Sequence, residues 1–188
     1  MVIEELKYIS VVKNVLPEPN FNRLLKYFDN DMIEEEGRVG TGEKGKVNKN
    51  IRKVAMHWFR PDSNKMTDVY WYNYLRKIFT DNAIQFFQQR NINHLFTDQF
   101  EIHLLKYYEN NFYNIHSDYA KNTPRELSFS LLLNDNFEGG HFIFLFQGRE
   151  HPVILEKNDL LIFPSNFIYH HRIDKVTKGI RKAVVGWI

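Results

Sequence analysis

Leu127-Ser128-Phe129-Ser130-Leu131-Leu132-Leu133 runs into Asn134-Asp135-Asn136, and Gly139-Gly140 then opens His141-Phe142-Ile143-Phe144-Leu145-Phe146, which stops at Gly148. Short apolar runs punctuated by Asn, Asp and Gly read as strands joined by turns, since those residues accept the backbone angles a reversal needs. Working outward, the pattern recurs at Phe100–Tyr108, Pro152–Leu155, Leu160–Phe163, Phe167–Ile173 and Lys182–Ile188. Asn110-Asn111, Asn158-Asp159 and Gly179 fall in the gaps. Many short strands at this spacing predict a sandwich or a closed jelly roll. The 16 Phe and 10 Tyr agree, because aromatic rings suit pleated, half-buried surfaces.

The N-terminal half has a different period. Pro17 and Pro19 precede Asn20, a good helix N-cap, and Phe21, Leu24, Leu25 and Phe28 then share one helical face. A second stripe starts near Thr67-Asp68 and continues through Trp71, Tyr74, Leu75, Ile78 and Phe79, with Phe86 and Phe87 extending it. Stripes of this kind face a core. Between them, Glu34 to Asn50 is charged and holds four of the nine glycines. Such a stretch buries little apolar surface and reads as a long loop, idle or acting as a lid.

Composition narrows the function. The net charge of +2 is spread along the chain, so no basic block calls for nucleic acid. The absence of Cys removes disulfides, thiolate metal sites and a Cys nucleophile. Charges among the apolar residues of Met1 to Lys13 argue against a signal peptide, and no apolar run is long enough to span a bilayer. A cytoplasmic setting is the expectation.

His116 and Asp118 stand two residues apart in Tyr113-Asn114-Ile115-His116-Ser117-Asp118. On a strand alternate side chains share a face, so an imidazole and a carboxylate can converge on one point. They would supply two ligands of a 2-His-1-carboxylate facial triad, which leaves positions on Fe(II) open. A lone His-x-Asp also arises by chance. The second His must come from a distant strand: His141, His151, His170 and His171 are available, and of the adjacent pair only one can look into a barrel. Arg181 follows His171 by ten residues, beyond Lys178-Gly179, where a guanidinium could clamp a carboxylate or simply sit on the surface of a last strand.

The segment from Leu105 to Asp118, the turn Glu138-Gly139-Gly140, and the closing pieces Phe163-Pro164-Ser165, His171-Arg172-Ile173, Val176 to Arg181 and Gly186-Trp187-Ile188 resemble, in order and spacing, the 2-oxoglutarate/Fe(II)-dependent dioxygenase superfamily in its prolyl 4-hydroxylase-like branch. The resemblance covers Phe100 to Ile188. It implies a β-rich α+β fold, a double-stranded β-helix (jelly roll) with N-terminal supporting helices. The chain is then expected to be one domain, with 1–99 as helical support and substrate-side loop and 100–188 as the jelly-roll core. The resemblance selects His171 and implies His116, Asp118 and His171 as iron ligands. It gives Arg181 the distal carboxylate of the cosubstrate 2-oxoglutarate, with Tyr107 hydrogen-bonding the same group. Ascorbate is implied as an auxiliary reductant. Tyr113 is either a pocket residue or a packed strand tyrosine, Trp187 lines the barrel floor, and Arg52 lies on a substrate-side strand.

Departures are local. Asn110 replaces a usual Gly, His141 follows Gly140 where an acidic or small residue is common and is expected on the strand, and Lys175 replaces a common Pro. The implied activity is hydroxylation of a prolyl residue in a peptide or protein, with release of succinate and CO2. Trp58, Phe59 and Arg60 would offer an aromatic docking surface, or simply pack. Three readings stay open beside it: a non-oxidising metal-binding module, an oxygenase for a small molecule or another amino-acid residue, and a Zn(II) hydrolase or isomerase.

Overall fold

Two runs of the sequence are buried along almost their whole length, and this sets the architecture. Leu127–Leu132 is buried at every position, and Glu101–Tyr107 at all but the first. Strands covered on both faces carry continuous apolar runs rather than a clean alternation. One face of these strands meets helices and the other lines the interior of a barrel.

The computed structural model describes residues 4–39, 46–94, 100–119 and 125–188. A short 3-10 helix, Glu4–Tyr8, leads to β1 (Ser10–Val12) and α1 (Glu18–Asn30). Then come β2 (Glu35–Glu36), β3 (Arg38–Val39), β4 (Lys46–Val47), β5 (Arg52–Lys53), β6 (Ala55–Phe59) and α2 (Met66–Gln88). The remainder is strand: β7 (Glu101–Tyr107), β8 (Phe112–His116), β9 (Leu127–Leu132), β10 (Phe137–Gly139), β11 (Phe142–Phe146), β12 (Arg149–Val153), β13 (Leu160–Pro164), β14 (His171–Ile173), β15 (Val176–Gly179) and β16 (Arg181–Trp187). A seven-stranded sheet has the order β1-β13-β9-β16-β7-β6-β2, and a five-stranded sheet the order β12-β11-β14-β8-β5. Neighbours pair antiparallel throughout both. This is the jelly roll expected from the turn-punctuated runs.

Two cores follow from the period of two along each strand. Ile102, Leu104, Phe129, Leu131, Leu160, Ile162 and Val184 pack against Leu24, Phe28, Trp71, Leu75 and Phe79 of the helices. Leu105, Tyr107, Leu161 and Phe163 turn the other way and meet Phe142, Phe144, Phe146 and Ile173 of the smaller sheet. The expected helical stripes are therefore core-facing, Phe86 included. One boundary differs. α1 begins at Glu18, so Asn20 lies inside the helix and gives no side-chain cap. Pro19 in the first turn lacks an N–H that would need a partner, and the Pro17 carbonyl accepts from the amides of Asn20 and Phe21.

The charged stretch Glu34 to Asn50 is less irregular than expected. β2 pairs with β6, and β3 with β4. Backbone pairing, rather than apolar burial, organises these short pieces. Residues 40–45, where the lid expectation is centred, lie outside the described residues. Among the described residues no helix is long and apolar enough to cross a membrane.

Candidate active site

Register puts the two imidazoles together. His171 of β14 is the cross-strand partner of His116 of β8, so both side chains share a face of the smaller sheet. Their rings lie 4.3 Å apart. Asp118 stands just past the end of β8, so the alternation argument reaches only as far as His116. The Asp118 carboxylate is held instead by the Ser128 hydroxyl, which donates to Oδ2 at 2.7 Å. Asp118 Oδ1 is 3.6 Å from His116 Nε2, and Oδ2 is 3.7 Å from His171 Nε2. These gaps exceed hydrogen-bond length. They suit three atoms aimed at one ion, with metal–ligand bonds of about 2.0–2.2 Å. One donor atom from each residue falls within 4.8 Å of the others.

The imidazoles are oriented for that role. His116 Nδ1 lies 2.8 Å from the Asn114 carbonyl, and His171 Nδ1 lies 3.0 Å from the Tyr169 carbonyl. A carbonyl only accepts, so each Nδ1 carries the proton and each Nε2 keeps its lone pair for a metal. Burial, followed by the neighbouring His116, pushes His171 down to about 4, so it is neutral near pH 7. Burial would raise the Asp118 carboxyl. The facing His171 and His116 outweigh that effect, helped by the Trp187 indole, and hold it well below the usual carboxylate range. His170 is exposed, whereas its neighbour His171 is buried. The strand expected over Phe167–Ile173 is only His171–Ile173. Before it, Asn166 folds the chain into a turn by accepting the Ile168 and Tyr169 amides through its side chain and carbonyl.

Arg181 opens β16 directly opposite Tyr107 of β7, with its guanidinium 5.5 Å from that ring. It is 2 % exposed, and among the described residues no carboxylate lies within ion-pair distance of it. An uncompensated buried cation costs several kcal/mol, a cost that an anion in the pocket would offset. Burial lowers the pKa of Arg181 and raises that of Tyr107. The glycine turn makes room for the Arg181 stem: Gly140 has φ +60°, and a Cβ there would sit 3.1 Å from Arg181 Cδ. Arg181, Tyr107 and the triad line one pocket, walled by Phe142, Phe163 and Trp187.

Tyr113 also lines this pocket and stacks on His116 at 3.6 Å, with the Arg52 guanidinium 4.6 Å from the centre of its ring. Burial pushes the Tyr113 phenol up to about 12. Arg52 sits on β5, paired to β8, and faces the same space. Trp58 lines an outer pocket that shares Arg52, Tyr113, Asp118 and Trp187 with the inner one, whereas Phe59 is fully buried in the helix-facing core. His141 is exposed and precedes β11 rather than lying on it. Asn110 does adopt the left-handed conformation of the glycine it replaces, at φ +63°.

Ser128 was not legible as a site residue, and neither was Ser165, whose hydroxyl lies 2.7 Å from that of Ser128. The available signal was the small polar residue at alternate positions of Leu-Ser-Phe-Ser-Leu, which marks the inner face of β9 as chemically different from its oily outer face. His103 was also missed, because a His within an apolar run reads as core.

Residues 102–188 match the 2OG-Fe(II) oxygenase superfamily. A PKHD-type hydroxylase from Parvibaculum lavamentivorans is 37 % identical over 89 residues, covering 45 % of this chain and 40 % of that protein. One from Idiomarina loihiensis is 32 % identical over 87 residues, covering 44 % and 39 %. The matched stretches thus span about two fifths of the length of these relatives. By fold, the chain is similar to a Pseudomonas putida prolyl-4-hydroxylase, with TM-score 0.71 and 22 % identity over 96 % of this chain and 92 % of that one. It is also similar to a prolyl hydroxylase from Trichoplax adhaerens, in complex with a hypoxia inducible factor peptide, with TM-score 0.76 and 18 % identity over 100 % and 86 %. The sequence match falls on the segment that carries the three converging side chains and Arg181, and the fold match extends through the supporting helices: over residues 102–188 the chain is similar to the 2OG-Fe(II) oxygenase superfamily, and its fold is similar to that of solved prolyl hydroxylases.

Proposed function

We propose that this chain is a 2-oxoglutarate- and Fe(II)-dependent hydroxylase acting on a prolyl residue of a peptide or protein. The observation that carries the reading is Arg181: a buried guanidinium without a carboxylate partner among the described residues, in the same pocket as His116, Asp118 and His171. A metal-only module or a Zn(II) hydrolase leaves that cation without a task. A dicarboxylate cosubstrate gives it one.

Two imidazoles and one carboxylate fit Fe(II) with open positions. His116, Asp118 and His171 would hold the iron, and Arg181 with Tyr107 would hold the far carboxylate of 2-oxoglutarate. When bound, the iron would activate O2, with 2-oxoglutarate as the two-electron co-reductant that leaves as succinate, carrying one oxygen atom, and CO2, while the other oxygen atom goes to the substrate as hydroxyl. The protein's part is positional. Carbonyls of Asn114 and Tyr169 fix which ring nitrogen faces the metal. Ser128 fixes one carboxylate oxygen. Tyr113 holds the His116 ring by stacking, and Phe142 stacks on His171 at 4.9 Å. Phe142, Phe163 and Trp187 keep water from the reacting atoms. A peptide substrate is supported by the open outer pocket that meets the inner one at Asp118 and Trp187. The peptide bound to the Trichoplax neighbour supports it too.

The test is succinate formation from 2-oxoglutarate with Fe(II), ascorbate and oxygen, driven by proline-containing peptides. Peptide-stimulated succinate that disappears in His116→Ala is expected. Failure of the wild type to bind 2-oxoglutarate with metal under anaerobic conditions would overturn the oxygenase reading.

A further inference from the structure

Unpaired buried side-chain nitrogens are concentrated in one place. Among the described residues six buried side-chain nitrogens lack a hydrogen-bond partner: Arg52 Nε, both ring nitrogens of His103, Arg125 Nε, His151 Nε2 and Trp187 Nε1. Trp187 Nε1 helps to hold Asp118, though outside hydrogen-bond geometry. Of the other five, all but His151 belong to residues that line the outer pocket. A folded protein rarely leaves such groups unmet, and a cluster of them at a pocket marks a place where water, or a ligand that displaces it, supplies the partners.

The pocket floor is an aromatic row across three adjacent strands. His103 of β7 lies edge-on between Trp58 of β6 and Trp187 of β16, at 5.5 and 5.3 Å. Register fixes this order, since Trp58 pairs with His103 on one side and Val185, two residues before Trp187, pairs with it on the other. A guanidinium caps each end: Arg60 lies 4.1 Å from the centre of the Trp58 ring, and Arg125 lies 4.1 Å from that of Trp187. The pocket is lined by Arg38, Arg52, Arg60 and Arg125 against Glu35, Glu101 and Asp118. Glu101 is engaged by Arg125, and Asp118 is turned to the triad. His103 is 7 % exposed, and burial followed by the nearby Arg52 and Arg125 pushes its pKa well below the ordinary value, so it remains a neutral N–H donor.

We infer that this outer pocket is a specificity subsite that takes an acidic side chain flanking the hydroxylated residue, with His103 and Arg125 as its hydrogen-bond donors. The inference rests on the oxygenase reading and adds to it a substrate class: proline beside Asp or Glu. A carboxylate offers only acceptors, which is what a pocket rich in unmet N–H groups lacks. Its charge is favoured by the surrounding guanidiniums. The row Trp58–His103–Trp187 provides the apolar floor for its methylene stem.

The experiment uses the wild-type protein loaded anaerobically with Fe(II) and 2-oxoglutarate. Probes are capped five-residue peptides with a central proline, differing only in Asp, Asn or Lys at each flanking position. Binding is read by tryptophan fluorescence, to which Trp58 and Trp187 contribute, and succinate yield is read after oxygen is admitted. The Asp peptide is expected to bind about ten-fold or more tightly than its Asn isostere, with Lys weaker still, because a charge-assisted hydrogen bond is about twice as strong as a neutral one. The advantage should shrink as salt is raised. His103→Phe and Arg125→Met should each bring the Asp/Asn ratio towards one while leaving 2-oxoglutarate affinity unchanged. Equal binding of Asp and Asn peptides, an Asp preference that survives both variants, or no binding of any peptide by protein that binds 2-oxoglutarate would overturn the inference and leave the oxygenase standing. Loss of 2-oxoglutarate binding itself would overturn the oxygenase reading instead.

Discussion

Replacing Arg181 by Met should move ligand affinity and stability in opposite directions. The guanidinium is 2 % exposed, and its only described close partner is the Tyr107 ring, 5.5 Å away. In the ligand-free protein it is therefore a buried charge without a counter-charge among the described residues. Such a charge costs several kcal/mol, offset in part by about 0.5–1 kcal/mol from the ring. Met keeps the unbranched stem beside Gly140 and removes the charge. A net gain of about 1 kcal/mol or more is expected, which raises the melting temperature by about 2–4 °C for a chain of this size. Affinity for 2-oxoglutarate should fall. Truncating one partner of a buried, hydrogen-bonded charge pair costs about 2–5 kcal/mol, or roughly thirty-fold to several-thousand-fold in the dissociation constant. Arg181→Lys should lie between, since it restores the charge without the bidentate fork. Anaerobic calorimetric titration of the Fe(II)-loaded protein measures the affinity, and differential scanning calorimetry of the metal-free protein measures stability. A Met variant that melts several degrees lower yet binds 2-oxoglutarate as tightly as wild type would refute the reasoning and make Arg181 a structural residue.

Ser128→Ala should weaken metal affinity about ten-fold or more, because it frees the Asp118 carboxylate without touching a proposed ligand; anaerobic Fe(II) titration checks this, and unchanged affinity would count against it. Gly186→Ala should destabilise by about 1–3 kcal/mol, since a Cβ there would come within 2.6 Å of Phe79, which is itself stacked on Phe129 at 4.8 Å; denaturant unfolding is the measurement. Glu34 gives a pH signature. Burial would raise its carboxyl, but hydrogen bonds from Tyr108 at 2.7 Å and Lys106 at 2.9 Å outweigh this and lower it. A lowered carboxylate contributes stability that is present above its ordinary pKa and is lost as pH falls through the depressed value. Wild type should therefore exceed Glu34→Gln at neutral pH, by less than about 1 kcal/mol because the side chain is partly solvated, and the difference should vanish in acid. A constant difference across the titration would show that the charge is not responsible.

The sequence made most strands of the C-terminal half readable because turn residues sit at many reversals and the runs between them are too apolar for loops; β10 and β15 escaped it, being short and ending in Gly139 and Gly179, which read as turns. Spacing singled out His116 and Asp118, but only His116 lies on β8; Asp118 stands past its end, held by Ser128, and Arg181 was assigned a role only through the family resemblance. The site was not readable where contacts join distant segments. His116 and His171 become neighbours through the β8–β14 register, which no local pattern announces. Residues alone did not separate His170 from His171, and only the turn built by Asn166 settles which one starts the strand. Ser128 and His103 were hidden by the same effect, being polar residues inside runs whose apolar neighbours dominate the pattern. The described flanks of residues 34–50 were misread because charged composition signals poor burial, yet two-residue pairings need only backbone hydrogen bonds.

The seven-stranded sheet ends in β1 on one side and β2 on the other, three and two residues long. Without them, the longer strands β13 and β6 would each present a row of open N–H and C=O groups, a template on which a second chain could add. β1 covers three residues of β13, and Lys13 just beyond it pins the end to Asp159 at 2.7 Å. β2 is made of two glutamates, whose like charges repel an incoming copy. A chain whose interior is so rich in phenylalanine needs such margins. They give the sheet blunt, charged borders that discourage polymerisation and keep its sticky pleats on the inside.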